Sequence, residues 1–417
     1  MKIIKDSEDL IDSLIIALIC FFGSGWMTVY FGGIGKYSAM FLSMLLLCFL
    51  ALKRLSYLNL TKLLPIIVFI VFYYATLQGL AFFRQHQFII TTFLFGLSGL
   101  IFMIVGAVLG ASSHAYFKRN IPVNSKKLNT TSIILSFLII FGLFSTIRYA
   151  DTLQSLFLMG LGRSTGNDSA NPVGIAYMFS IVNICTIYRF FISRNWYLKI
   201  LPGVLFIASL FIIISTTSRG AILCCIISYA LLFLSILPKI KSQFNLSWFL
   251  SLIAFICVIG ILPLVSSGNE FILNRFNSLI YRFTSLWDFV NYSNSYDQSA
   301  DSRVLIYQGW FDRIKDWILF GQQYYGLGSA AYPHNSILEI AVRFGVVGLP
   351  LIFFLIATFI LSIIRAFSTA WFKNKEWYLF FLIFIFSFIQ SMTSLSLEIN
   401  RSLWFAFGYM LTYKNIT

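Results

Sequence analysis

Apolar runs of about twenty residues recur from one end of the chain to the other, and polar residues gather in the short connections between them. Each run is long enough to cross roughly 30 Å of hydrocarbon as a helix. The runs are continuous and show no period-2 alternation, so they predict helices rather than a closed barrel, the two structures that satisfy their own backbone in lipid. The pattern predicts spans at 11–31, 37–52, 63–83, 88–111, 130–147, 174–192, 198–217, 220–237, 247–265, 345–366, 377–396 and 401–413. The expected fold is therefore all-α: a polytopic integral membrane protein of about twelve transmembrane helices. Residues 1–265 form the first nine spans, 266–344 a large loop between the ninth and tenth, and 345–417 the last three.

Composition sharpens this picture. Of 417 residues 59% are apolar and 11% charged, whereas a soluble domain carries about 25% charged residues. No large water-soluble domain fits in such a chain. The first run lacks a small-residue cleavage pattern and reads as a retained span. The six cysteines all lie in apolar runs, without metal-site spacing.

The net charge of +15 is a topology signal. With the N-terminus inside, the connections containing Lys53–Lys62, Lys118–Lys127, Arg189–Lys199, Lys239–Lys241 and Arg365–Lys375, together with the termini, hold 18 of the 30 basic residues. The short outer connections hold six, which sets both termini in the cytoplasm. The same distribution argues for contact with anionic lipid headgroups and against a nucleic-acid partner. Thirteen of the 15 lysines fall inside, but 10 of the 15 arginines fall outside. Arginine offers a planar fork suited to phosphate or carboxylate, so the outer face is expected to recognise an anion.

Two outer connections are long. Residues 148–173 carry Arg163 in a stretch rich in Gly, Ser and Asn, and 266–344 mixes acids, arginines and tryptophans. The latter is too apolar for a linker and is expected to form a partly helical cap against the membrane. None of the acids sits mid-span, which weighs against a proton-coupled transporter, although broken spans could still hold a transport site. No metal cluster and no cofactor motif is evident.

Three basic residues stand out. Arg219, in TTSRGAIL, lies at the tight junction of two apolar runs, either snorkelling to headgroups or meeting a lipid-linked phosphate. Arg303 lies on or beside an amphipathic helix with Trp310 and Trp317. His334 follows Pro333, which is suited to open a helix. That reading sets His334 in the first helical turn, where the positive helix end disfavours imidazolium and leaves a neutral general base. Asn335 would orient a sugar hydroxyl or cap the helix, and Gly345 and Gly348 would end it.

These residues carry a family resemblance. His334–Asn335 with Gly345 and Gly348 downstream resembles the signature shared by bacterial O-antigen ligases and O-antigen polymerases. Ser218–Arg219–Gly220 resembles their second hallmark. Ser302–Arg303, with Trp310, Phe320–Gly321 and Gly326–Leu327–Gly328, resembles their third. The resemblance implies a multi-span (GT-C type) glycosyltransferase that needs no metal or cofactor and works at the periplasmic face of a bacterial inner membrane. Its donor and acceptor would be glycans on undecaprenyl pyrophosphate, with membrane lipids around it and a chain-length regulator left open as a partner. By position, His334 would deprotonate the acceptor hydroxyl, and Arg219 and Arg303 would bind the pyrophosphate. Arg163, Arg282, Arg343 and Asn335 would be further substrate contacts. The contexts YPHNSILE and LEINRSLWFAFGYML resemble polymerases more than ligases. A ligase transferring the glycan to lipid A core, a lipid-linked glycan transporter and a structural scaffold remain as alternatives.

Overall fold

The structure is a computed structural model that describes scattered positions within 38–61, then residues 63–72, 99–113, 134–147, 172–193, 197–216, 218–240, 281, 284, 298–321, 333–368, 375–393 and 400–413. Among these residues every regular element is helical and there is no strand, which agrees with the all-α expectation. The expected spans 11–31 and 247–265 lie outside the described residues.

The described helical segments are α1 Leu63–Phe72, α2 Gly99–Ser113 and α3 Ile134–Ile147. They continue with α4 Pro172–Ile192, α5 Tyr197–Ser215, α6 Arg219–Ile240, α7 Gln298–Asp312, α8 Ile314–Trp317, α9 Ser336–Phe344, α10 Leu349–Ser368, α11 Lys375–Ser391 and α12 Arg401–Thr412. The helical stretches Val173–Phe191, Tyr197–Ile214 and Ser336–Phe367 are long and apolar enough to cross a membrane; the first two overlie the expected sixth and seventh spans, and the third contains the expected tenth, 345–366, but begins within the expected loop 266–344. Shorter apolar helices fall within expected spans elsewhere, among them Arg219–Leu234 and Trp377–Ser391.

By contact the chain divides into two compact units, Met1–Ile133 with Ser302–Thr417, and Ile134–Asp301. In the second of these, α4 runs antiparallel to α5 after the short 193–196 connection. Pro172 opens α4, where its missing N–H is an orphan in any case. Asn183 is fully buried and donates from Nδ2 to the Phe206 carbonyl at 2.9 Å and to Ser209 Oγ at 2.8 Å, binding α4 to α5. Such polar bridges between apolar helices hold where burial alone gives no preference. Cys185, Cys224 and Cys225 are buried and unbridged, as core-packing residues should be.

The other unit is built around α12. Along this helix Arg401 to Met410 and Thr412 are all buried. A Cβ on Gly106 would strike the Phe405 carbonyl, one on Gly110 would lie 2.6 Å from the Tyr409 carbonyl oxygen, and one on Gly408 would strike the Met103 carbonyl. α2 and α12 therefore meet backbone to backbone, the approach that small residues permit. Thr412 Oγ1 bridges them by donating to the Ala107 carbonyl at 3.0 Å. Phe380 of α11 packs on Tyr409 at 4.4 Å, and Phe69 of α1 on Phe407 at 5.5 Å. The expected last span, 401–413, is thus a 12-residue helix enclosed by protein.

α10 shows how the unit meets lipid. Leu349, Phe353, Ile360, Ile364 and Phe367 form an exposed stripe at helical spacing, while Leu351, Leu355, Thr358, Ser362 and Ala366 face inward. Similar stripes occur on α1 (Leu64, Ile67, Val68, Val71), α3 (Ile140, Phe141, Phe144, Ile147) and α5 (Leu198, Leu201, Val204). Water-soluble surfaces rarely expose apolar area on that scale, and hydrocarbon accommodates it. The protein is a membrane protein.

Candidate functional site

The site-bearing segment of the first unit runs from α7 to the start of α10. Trp310, Trp317 and Val342 form a buried cluster, with Ile306, Leu338 and Ala341 packed on it, and this joins α7 and α8 to α9. Trp317 Nε1 donates to the Trp310 carbonyl at 2.8 Å, satisfying the indole where it is enclosed. Arg303, Ile306 and Trp310 recur at three- and four-residue spacing, so half-buried Arg303 lies on the α7 face that turns toward α9.

The turn after α8 and the end of α9 are locked together. Gly321 N–H donates to the Trp317 carbonyl at 2.7 Å, and Val346 N–H to the Ile318 carbonyl at 2.8 Å. Gly321 and Gly345 both have positive φ, 70° and 61°. A Cβ on Gly321 would strike the Arg343 carbonyl, and one on Gly345 would come within 2.6 Å of Leu319 backbone. Glycine meets both demands at these positions. Gly345 ends α9 as expected, and the 3-10 turn Gly345–Gly348 leads directly into α10.

The start of α9 departs from the expectation. The helix begins at Ser336, capped by Asn335, whose Oδ1 accepts the Leu338 N–H at 3.0 Å. Pro333 and His334 therefore precede the helix rather than forming its first turn, because Asn is the stronger cap and its extended backbone (φ −146°, ψ 118°) breaks helical continuity there. Asn335 Nδ2 also donates to the Met392 carbonyl at 3.3 Å, hooking the start of α9 to the end of α11. His334, half-buried, takes φ 54°, the one positive φ at a non-glycine among the described residues. That region costs an L-residue about 1–2 kcal/mol. Strain of this kind persists where the surroundings over-determine it, commonly at functional positions.

Arg343 lies in the last turn of α9 and is only 6% exposed. Its Nε is 3.5 Å from Oε1 of Glu339, which is fully buried one turn earlier. The pair welds the inner face of α9, so the structure supplies Arg343 with an internal counter-charge.

In the other unit, α5 ends at Ser215 and α6 begins at Arg219. The junction is as tight as expected, with the Ser218 carbonyl accepting the Ile222 N–H at 3.2 Å. Arg219 is half-buried in the first turn of α6. A cation here opposes the helix dipole by about 0.3–1 kcal/mol. A helix N-terminus and a guanidinium at one point together favour an anion. Arg163 and Arg282 lie outside the described residues. Among those described, no three His, Cys, Asp or Glu side chains gather as a metal-ligand set.

Gln390 of α11, Arg401 and Ser402 of α12, and Asn400 just before α12 complete the polar end of the first unit. Asn400 caps α12 by accepting the Leu403 N–H at 3.2 Å and donates from Nδ2 to the Ser387 carbonyl at 3.1 Å. Their one visible signal in the sequence is polarity at the margins of two adjacent apolar runs.

Residues 204–355 match the family model described as O-antigen ligase, a stretch from within α5 to within α10. It includes Arg219, Arg282, Arg303, His334, Asn335 and Arg343 and leaves Arg163 outside. No curated protein and no solved structure matches the chain. The likeness to the O-antigen ligase family is thus confined to 204–355, less than half of the chain.

Proposed function

We propose that the protein is an O-antigen polymerase that joins oligosaccharide repeat units carried on undecaprenyl pyrophosphate, at the periplasmic face of the inner membrane with both termini cytoplasmic. The observation that carries this reading is His334, in a left-handed backbone conformation immediately before the capped start of α9, inside the stretch that matches the O-antigen ligase family. His334 accepts the proton of an acceptor sugar hydroxyl as that oxygen attacks the anomeric carbon of the donor glycan. The bond from that carbon to the pyrophosphate oxygen breaks, and its electron pair leaves on the pyrophosphate. Arg219 and Arg303 bind the pyrophosphate and stabilise its growing charge. Pyrophosphate is a good leaving group, so a base, an anion clamp and correct positioning suffice without a metal.

The family description itself favours a second reading, in which the same chemistry delivers the glycan to lipid A core as a ligase. A lipopolysaccharide gel separates the two. The test host lacks the protein and carries either the wild type or His334→Ala. Core plus a single repeat with no ladder in the mutant identifies a polymerase whose base is His334. Loss of every O-antigen-bearing band identifies a ligase, and an unchanged ladder refutes the assignment of His334.

A further inference from the structure

Three segments of one unit meet at the end of α11 and bring in polar side chains that the protein does not satisfy. Asn400 Nδ2 ties the start of α12 to the Ser387 carbonyl, one turn before Gln390. Asn335 Nδ2 ties the start of α9 to the Met392 carbonyl, two residues after it. Gln390 therefore sits between two anchors, with Arg401 and Ser402 entering from one and His334 and Ser336 from the other. Gln390 is fully buried, and neither its Oε1 nor its Nε2 finds a partner. Arg401 is 4% exposed and its Nε is enclosed without an acceptor. The Oγ atoms of Ser402 and Ser336 are enclosed and unpartnered as well. Among the described residues no carboxylate pairs with Arg401, whereas buried Arg343 has Glu339 beside it.

Buried polar atoms are nearly always hydrogen-bonded, and a buried guanidinium requires a counter-charge. Four such groups around one helix end call for a ligand that supplies what the fold does not. The guanidinium fits an oxyanion, ideally through two parallel N–H bonds. A carboxamide with both ends open donates to one hydroxyl and accepts from another, and each serine can do either. Arg401 also lies near the negative end of α11, where a cation balances the helix dipole. That role leaves the unmet amide of Gln390 unexplained.

We propose that Arg401, Gln390, Ser402 and Ser336 form a subsite beside His334 that binds an oxyanion of the lipid-linked glycan together with its neighbouring hydroxyls. The proposal rests on the glycan-transfer reading above and adds a third arginine to it. The oxyanion belongs either to the pyrophosphate or to an acidic sugar.

The test uses the full-length protein in nanodiscs, titrated with undecaprenyl pyrophosphate and, separately, with glucuronate. Arg401→Gln, Arg401→Lys and Gln390→Leu are compared with wild type, and melting is followed without ligand. Arg401→Gln is expected to weaken one probe by about tenfold or more, the loss of a charge-assisted hydrogen bond, with partial recovery in Arg401→Lys. Gln390→Leu is expected to weaken it less, and to melt at or above wild type because a buried unmet amide has been removed. Dependence seen with undecaprenyl pyrophosphate assigns the oxyanion to the leaving group, and dependence seen with glucuronate assigns it to the sugar. Binding of neither probe by wild type, or equal affinity in all variants, overturns the subsite. Lower melting temperatures with unchanged affinity of the folded fraction overturn it too and make Arg401 a brace. An intact ladder in His334→Ala with Arg401-dependent binding would instead remove the base and leave the subsite standing.

Discussion

Replacing Asn335 in three ways separates two hydrogen bonds that the native side chain makes at once. Its Oδ1 caps α9 by accepting from Leu338 N–H at 3.0 Å, and its Nδ2 holds the end of α11 through the Met392 carbonyl at 3.3 Å. Loss of a cap costs about 1 kcal/mol, and loss of a neutral hydrogen bond of this kind about 0.5–1.5 kcal/mol. Asn335→Ser keeps the cap and gives up the tie. Asn335→Asp keeps the cap, adds a carboxylate at the favourable helix end, and sets it against a carbonyl oxygen. Asn335→Ala loses both bonds, about 2 kcal/mol together. The activity effect should exceed the stability effect, because His334 is the adjacent residue and its orientation hangs on that tie. A shift of about 1 Å in a reacting group can lower the rate about a hundredfold. In an initial-rate assay with purified lipid-linked repeat units, all three variants should lose kcat with little change in KM. Thermal melting should rank wild type above Ser and Ser above Ala. A raised KM with kcat intact in Asn335→Ser would refute this argument and make Asn335 a direct substrate contact. Equal melting of Ser and Ala would show that the cap contributes nothing.

Three further outcomes are expected. Gly408→Ala places a Cβ against the Met103 carbonyl and should cost about 3 kcal/mol or more by overpacking, read as loss of monodisperse protein after detergent extraction. His334→Gly should melt no lower than His334→Ala, since glycine relieves a φ of 54° worth about 1 kcal/mol, while both variants are inactive; a lower melting temperature for Gly would show that the backbone there is unstrained. Glu339→Ala should destabilise by about 3–5 kcal/mol by removing the carboxylate beside buried Arg343, and adding Arg343→Met should recover part of that loss on a melting curve.

The sequence by itself determined whatever local chemistry decides. Continuous apolar runs require helices in hydrocarbon. The Ser218–Arg219 junction is legible because two runs leave room for only a turn between them. Gly345 was readable as the end of α9, where the backbone takes a positive φ. Whatever depends on neighbours lay beyond it. Hydropathy cannot distinguish a helix facing lipid from one enclosed by protein, because both surroundings are apolar, so the run at 401–413 gave no sign that α12 is enclosed along its length. Counting charges placed Arg54 among the cytoplasmic topology residues, yet it is fully buried and donates to Ser112 Oγ at 3.2 Å. The i, i+4 spacing of Glu339 and Arg343 was readable, but their burial was not. His334 was recognisable as a candidate base. Its position outside the helix came from the Asn335 cap and a tie to Met392, 57 residues further along. Only the tertiary structure could bring Gln390 and Arg401 to the same helix end, because contact between distant segments is decided by packing, and packing leaves no periodic trace in the chain.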